Sequence, residues 1–206
     1  MFAQAAACIR AEHQRLTELD SIGGDGDHGM TMLRTAGQME LGMDAPATES
    51  LTDFLKAAGW RVLGVDGGAS SALLGTFFAG MADVELRGDA MNCDQLARAF
   101  QAGLAAVSRQ TRARPGDKTM MDALTPAVAA VGAAAAAGKT IPQALDDAAL
   151  AAQLGAESTR DLVARYGRAK SLGERTRGHA DAGATSVALL FKGFSAGLAG
   201  KECGNG

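Results

Sequence analysis

The chain has 206 residues, 47% of them hydrophobic, and a formal net charge of −3. That length suits one compact domain with a real core, and the acidic balance excludes the basic face that nucleic acid would require. With no run of 18 apolar residues and no secretory pattern at the N-terminus, a soluble cytoplasmic protein without membrane or nucleic-acid partners is expected.

Forty-four alanines stand against 11 valines and isoleucines combined and nine aromatics, a composition of close-packed helices that predicts an all-α fold. In chain order, helical spacing of apolar residues predicts segments over about 2–20, 29–41, 50–63 and 70–86. A fifth follows a cap at Asn92 to Asp94 and carries Leu96, Phe100, Leu104 and Val107 on one face. The last three run over 119–137, 141–168 and 182–199, which makes about eight amphipathic helices. Ser50 with Asp53 resembles a capping box, Pro126 predicts a kink, Gly138 a helix stop, and Thr140 with Pro142 a helix start. The alanine run 133–137 reads as a close helix approach rather than low complexity. No repeat or linker divides the chain, so residues 1–206 are read as a single domain. Cys8, Cys93 and Cys203 lack zinc spacings and are expected to be free thiols.

Glycines and acids concentrate in four breaks between helices, where free backbone donors are presented. The first places Asp20, Asp25 and Asp27 within eight residues among Gly23, Gly24, Gly26 and Gly29. Such crowding of like charge suits a hard cation, Mg²⁺ in particular, and spacing alone leaves a solvated acidic turn equally open. No strand precedes this loop, so its G-x-G-x-x-G pattern is not a dinucleotide fingerprint, and its acids do not follow EF-hand spacing. The second break, Asp66-Gly67-Gly68-Ala69-Ser70-Ser71, opens a helix fit to receive an anion or simply to be capped. In the third, residues 114–120, Lys118 is placed to meet phosphate or to pair with Asp117. The fourth, residues 178–186, sets Asp181 and small residues before a helix. His28 and His179 lie in these breaks, and neither is persuasive as a nucleophile; His13 reads as an exposed helix residue. Without a Walker A loop, a Gly-x-Ser-x-Gly elbow or a kinase H-R-D motif, the residues point to a helical protein with a metal-phosphate site.

Five blocks in order, LTELDSIGGDGDHG, GGASSALLGTFF, RPGDKTMMDAL, GRAKSLGERT and GHADAGATS, resemble the L subunit, or nucleotide domain, of dihydroxyacetone kinases over nearly the whole chain. That resemblance implies a barrel of eight antiparallel helices, with the nucleotide-metal site in loops at one end. It implies two Mg²⁺ ions on Asp20, Asp25 and Asp27 and an ADP or ATP cofactor. His28, Gly29, Met30, Thr31, Ala69 and Ser70 would lie at the phosphates, and Met120, Arg168, Asp181, Ala182 and Gly183 around the nucleoside. Ser71, Ala182 and Thr111 depart from the family's usual Gly, Pro and Gly.

The implied activity is phosphotransfer to dihydroxyacetone, or a related short ketose, held on a separate K-type subunit. A phosphohistidine of the phosphotransferase system is the implied donor, and the chain's brevity favours the separate-subunit arrangement. Two alternatives remain: an ATP-dependent kinase domain for a tetrose sugar, and a regulatory nucleotide-binding module that contacts a transcriptional regulator without turnover. A lipid kinase domain is remote, because those chains are far longer.

Overall fold

In the computed structural model, residues 1–41, 50–84 and 91–200 are described. They form eight α-helices: α1 (Phe2–Gly23), α2 (His28–Glu40), α3 (Leu51–Leu63), α4 (Gly68–Met81), α5 (Cys93–Gln110), α6 (Met121–Ala136), α7 (Ile141–Ser158) and α8 (Ala182–Ala199). Short 3-10 segments at Thr159–Asp161 and Arg168–Thr176 lie between α7 and α8, and no strand occurs among the described residues.

Each helix packs on its neighbours in sequence, and α8 packs back on α1, so the ring closes as an antiparallel barrel. Local chemistry sets most boundaries. The Ser50 hydroxyl accepts from Asp53 N–H at 3.1 Å, and Asn92 and Thr140 form capping boxes with Gln95 and Gln143. Gly138, at φ +69°, lies just beyond the end of α6.

Small residues let the staves approach closely. A Cβ on Gly193 of α8 would stand 2.2 Å from Ala5 Cα of α1, and one on Gly103 of α5 would stand 2.6 Å from the Phe77 carbonyl of α4. Inside the ring, Phe77, Phe78, Phe100, Phe191 and Phe194 are fully buried, with centroids of neighbouring rings about 6 Å apart or less in most pairs. These rings come from the C-terminal halves of α4 and α8 and the middle of α5, which leaves the opposite end of the barrel to polar loops. By length and composition α8 is apolar enough to cross a bilayer, but here it is a stave with most of its residues buried in the barrel.

Three expectations are corrected. The predicted 141–168 helix stops at Ser158, because the Ser158 and Thr159 hydroxyls donate to the Gly155 and Ala156 carbonyls and Lys118 takes the Thr159 carbonyl. Helix α4 begins at Gly68 and stops at Met81; residues 85 and 86 of the predicted span lie outside the described residues. Cys93 is a free thiol as expected, whereas Cys8 is disulfide-bonded, and Cys203 lies outside the described residues. Pro126 lies inside α6 and leaves the Asp122 carbonyl without its helical donor. That oxygen faces Gly155 of α7, where a Cβ would come within 2.1 Å.

Candidate functional site

At one end of the barrel the N-termini of α2, α4, α6 and α8 border a cavity of about 430 Å³. The starts of α2, α4 and α8 offer N–H groups and the positive ends of helix dipoles, while α6, whose Met121 N–H donates to Thr119 Oγ1, offers its dipole, so the four together favour an anion.

The acidic loop leaves α1 through a tight turn in which Gly24 N–H donates to the Asp20 carbonyl at 2.5 Å, and Gly26 adopts φ +74°. A Cβ on Gly24 would fall 2.2 Å from Asp20 Oδ1, so glycine is what lets that carboxylate sit over the turn. One carboxylate oxygen from each of Asp20, Asp25 and Asp27 lies within 4.8 Å of the others. Three hard anionic donors at that separation fit Mg²⁺, with waters and phosphate completing the shell. Arg168 pairs with Asp25, and its guanidinium is 3.9 Å from Asp27.

His28 opens α2 and is buried. Its Nε2 is 2.6 Å from Ser186 Oγ, and the Ser186 hydroxyl donates to the Ala182 carbonyl at 3.0 Å. With that hydroxyl proton committed, Nε2–H is the donor, and the pair latches the start of α2 to α8. Burial pushes the His28 pKa down, opposed by the Asp20 carboxylate and by a backbone hydrogen bond with Ala182, so the imidazole is held neutral.

Gly67, the cap of α4, and Gly68, its first residue, take φ +149° and +59°, and a Cβ on Gly67 would stand 2.2 Å from Thr31 Oγ1. Ser71 is buried and donates to the Gly67 and Val65 carbonyls, so its hydroxyl shapes the turn.

The third break is a collar around Asp122, whose carboxylate accepts from Gly116 N–H at 2.6 Å and Thr119 N–H at 2.7 Å. Lys118 does not pair with Asp117; it lines the cavity with its ammonium committed to backbone carbonyls. Its buried ammonium donates to the Thr159 and His179 carbonyls, both at 2.5 Å, while Asp117 pairs with Arg165.

In the fourth break Asp181 caps α8 by accepting from Ala184 N–H at 2.7 Å, and its own N–H donates to Thr159 Oγ1. Burial raises its pKa to about 6; the capping bond lowers it, Asp122 and Asp20 raise it, and Lys118 lowers it.

Of the residues singled out from sequence, Asp20, Asp27, His28, Thr31, Ala69, Ser70, Met120, Arg168, Asp181, Ala182 and Gly183 line this one cavity. Asp25 joins through the carboxylate cluster. Gly29 and Met30 do not line it: Gly29 is buried against His13 and Thr17 of α1, and Met30 is 49% exposed. Sequence reasoning missed Leu73, Ala113, Tyr166 and Ala169, which add largely apolar surface to the lining. The tight turn between Ala113 and Lys118 and the Tyr166-Gly167 pair were the available signals for two of them.

Residues 22–196 match the DAK2 domain family. The chain is 37% identical over 191 residues to the ADP-binding subunit DhaL of the PEP-dependent dihydroxyacetone kinase of Escherichia coli, covering 93% of this chain and 90% of that one. It is 36% identical to L-erythrulose 1-kinase of Mycolicibacterium smegmatis over 93% of its own length but only 33% of that enzyme's. The dihydroxyacetone kinase of C. freundii, solved in complex with AMP-PNP and Mg²⁺, superposes with a TM-score of 0.71 at 28% identity. That match spans 95% of this chain and 33% of the kinase. With the helical barrel and the aspartate cluster at its mouth, these similarities establish that the chain belongs to the DAK2-domain family, that of the L subunits and L-type domains of dihydroxyacetone kinases.

Proposed function

We propose that this chain is the phosphotransfer subunit of a dihydroxyacetone-type kinase, a single magnesium- and nucleotide-binding domain. It binds ADP or ATP with Mg²⁺ and serves to phosphorylate dihydroxyacetone, or a related short ketose, held by a separate K-type partner. The observation that carries this reading is the convergence of Asp20, Asp25 and Asp27 with four helix N-termini on one cavity.

Asp20, Asp25 and Asp27 would hold two Mg²⁺ ions, which supply charge neutralisation and alignment of the phosphoryl group for in-line transfer. The N–H groups at the starts of α2 and α4 cradle the phosphate chain. Arg168, facing the aspartates across the mouth, adds a cation where charge moves between oxygens. Residues 181–183 and Met120 flank the nucleoside against the apolar wall at Leu73 and Ala113. His28 stays neutral and latched to Ser186, so its work is to hold the loop, and no protein nucleophile is required.

The similarity to PEP-dependent L subunits supports recharging of bound ADP by a phosphohistidine of a phosphotransferase-system component in the cytoplasm. The similarity to erythrulose kinases supports a second reading, an ATP-dependent domain serving a tetrose. Denaturing freshly purified protein and identifying the released nucleotide and Mg²⁺ separates the two. Stoichiometric ADP is expected for the recharged subunit, reversible ATP binding for the second reading. Absence of any nucleotide affinity would overturn both.

A further inference from the structure

Lys118 is the one non-glycine residue at positive φ among the described residues, at +59°. A β-carbon is unfavourable in that left-handed region, and glycine would adopt it without strain. What lysine brings to the position is therefore its side chain, which is 6% exposed. The ammonium donates at 2.5 Å to Thr159, 41 residues away at the end of α7, and at 2.5 Å to His179, 61 residues away in the loop before α8. Thr159 carries the connection onward: its hydroxyl accepts from Asp181 N–H at 2.8 Å and donates to Ala156. Two residues beyond Lys118 stands Met120, and two beyond His179 stands Asp181, both on the cavity wall. The carboxylates of Asp181 and Asp122 favour the charged ammonium that burial disfavours.

We propose that Lys118 is a positioning residue for the nucleotide: its ammonium ties the start of α6, the end of α7 and the loop before α8 into one frame. That frame holds Met120 and residues 181–183 at the spacing a nucleoside requires. The inference rests on the proposed nucleotide site and adds to it a residue that is committed to backbone carbonyls rather than to phosphate. Because those contacts go to backbone carbonyls and not to reacting groups, Lys118 is expected to contribute to nucleotide binding and not to the chemical step. Its ammonium bonds to the Thr159 and His179 carbonyls and to none of the three aspartates, so cation binding there is not expected to depend on it.

The test uses the full chain with Lys118→Met, which removes the charge, and Lys118→Gly, which also relieves the backbone and keeps a foldable variant in hand. Calorimetry gives ADP affinity with Mg²⁺ present, Mn²⁺ titration without nucleotide reports on the aspartates, and turnover is measured at saturating nucleotide with the K-type partner. The expected result is nucleotide binding weaker by about tenfold or more, with kcat at saturation and Mn²⁺ affinity each within about threefold of wild type. Ethylammonium is expected to restore much of the affinity of Lys118→Gly and to leave wild type unchanged. Wild-type affinity in folded Lys118→Gly would overturn the proposal. So would a fall in kcat with affinity intact, or a loss of affinity that ethylammonium does not touch. A wild-type protein that binds no nucleotide overturns the functional reading itself, and is recognised without any variant.

Discussion

Asp27 and Asp181 are both carboxylates at helix N-termini, yet their surroundings give them opposite behaviour. Asp27 is half exposed beside Asp20, Asp25 and the Arg168 guanidinium, with its carboxylate open to a cation. Asp27→Asn is expected to abolish Mg²⁺-dependent nucleotide binding and cut transfer about a hundredfold or more, with helicity unchanged by circular dichroism. Unchanged binding would remove the metal assignment. Asp181 is buried, and its pKa rises from 3.8 to about 6. A raised carboxyl pKa means that the folded state holds an extra proton in that window, so the group's stabilisation is full below pH 4 and lost as pH passes 6. Without metal or nucleotide, wild type is expected to lose up to ~3 kcal/mol between those limits relative to Asp181→Asn, which keeps a capping oxygen. Urea denaturation at pH 4 and 6.5 measures the difference, and parallel profiles for the two proteins would refute it.

Among the helices, glycine has two different effects. Gly193 lies where α8 meets α1 with Ala5 Cα in the path of any Cβ, so Gly193→Ala is expected to destabilise by about 1–3 kcal/mol through a forced shift of the ring closure. Gly132 in α6 has nothing within 4 Å of its Cβ position, and Gly132→Ala is expected to stabilise by about 0.5–1 kcal/mol by restricting the unfolded chain. Chemical denaturation of the pair should move the midpoint in opposite directions. The end of α7 shows a competition at the same scale. Leu162, Val163 and Tyr166 continue an apolar pattern that predicts helix, but hydroxyls from Ser158 and Thr159 and the ammonium of Lys118 take the carbonyls at that point. A contact from 41 residues away cannot be read from local periodicity.

For the whole barrel, the cavity is the place where loops from all parts of the chain meet, so a ligand there acts as a cross-brace. Mg²⁺ and ADP together at about 100 times their dissociation constant are expected to add ~2.7 kcal/mol, which raises Tm by about 5–10 °C for a chain of this size. EDTA should cancel the shift, and Asp25→Asn should never show it. A shift produced equally by ADP in EDTA would mean that the nucleotide does not use the aspartates.

Much of the fold is legible in the sequence. The alanine-rich composition, the apolar spacing and the capping residues at Ser50, Asn92 and Thr140 are local properties that each segment carries by itself, and the helices they predict are present. The metal candidates were legible because three acids crowded into eight residues constrain one another whatever the rest of the chain does. The family's motifs added the candidate nucleotide residues. Only the tertiary structure decided that four separate breaks face one cavity, that Leu73, Ala113, Tyr166 and Ala169 complete its wall, and that Arg168 reaches the aspartates. It also decided that Lys118, which in sequence sits beside Asp117 and near a helix start, spends its charge on two distant carbonyls. Those facts depend on closing the ring of helices, a long-range packing result to which every stave contributes and which no single segment encodes.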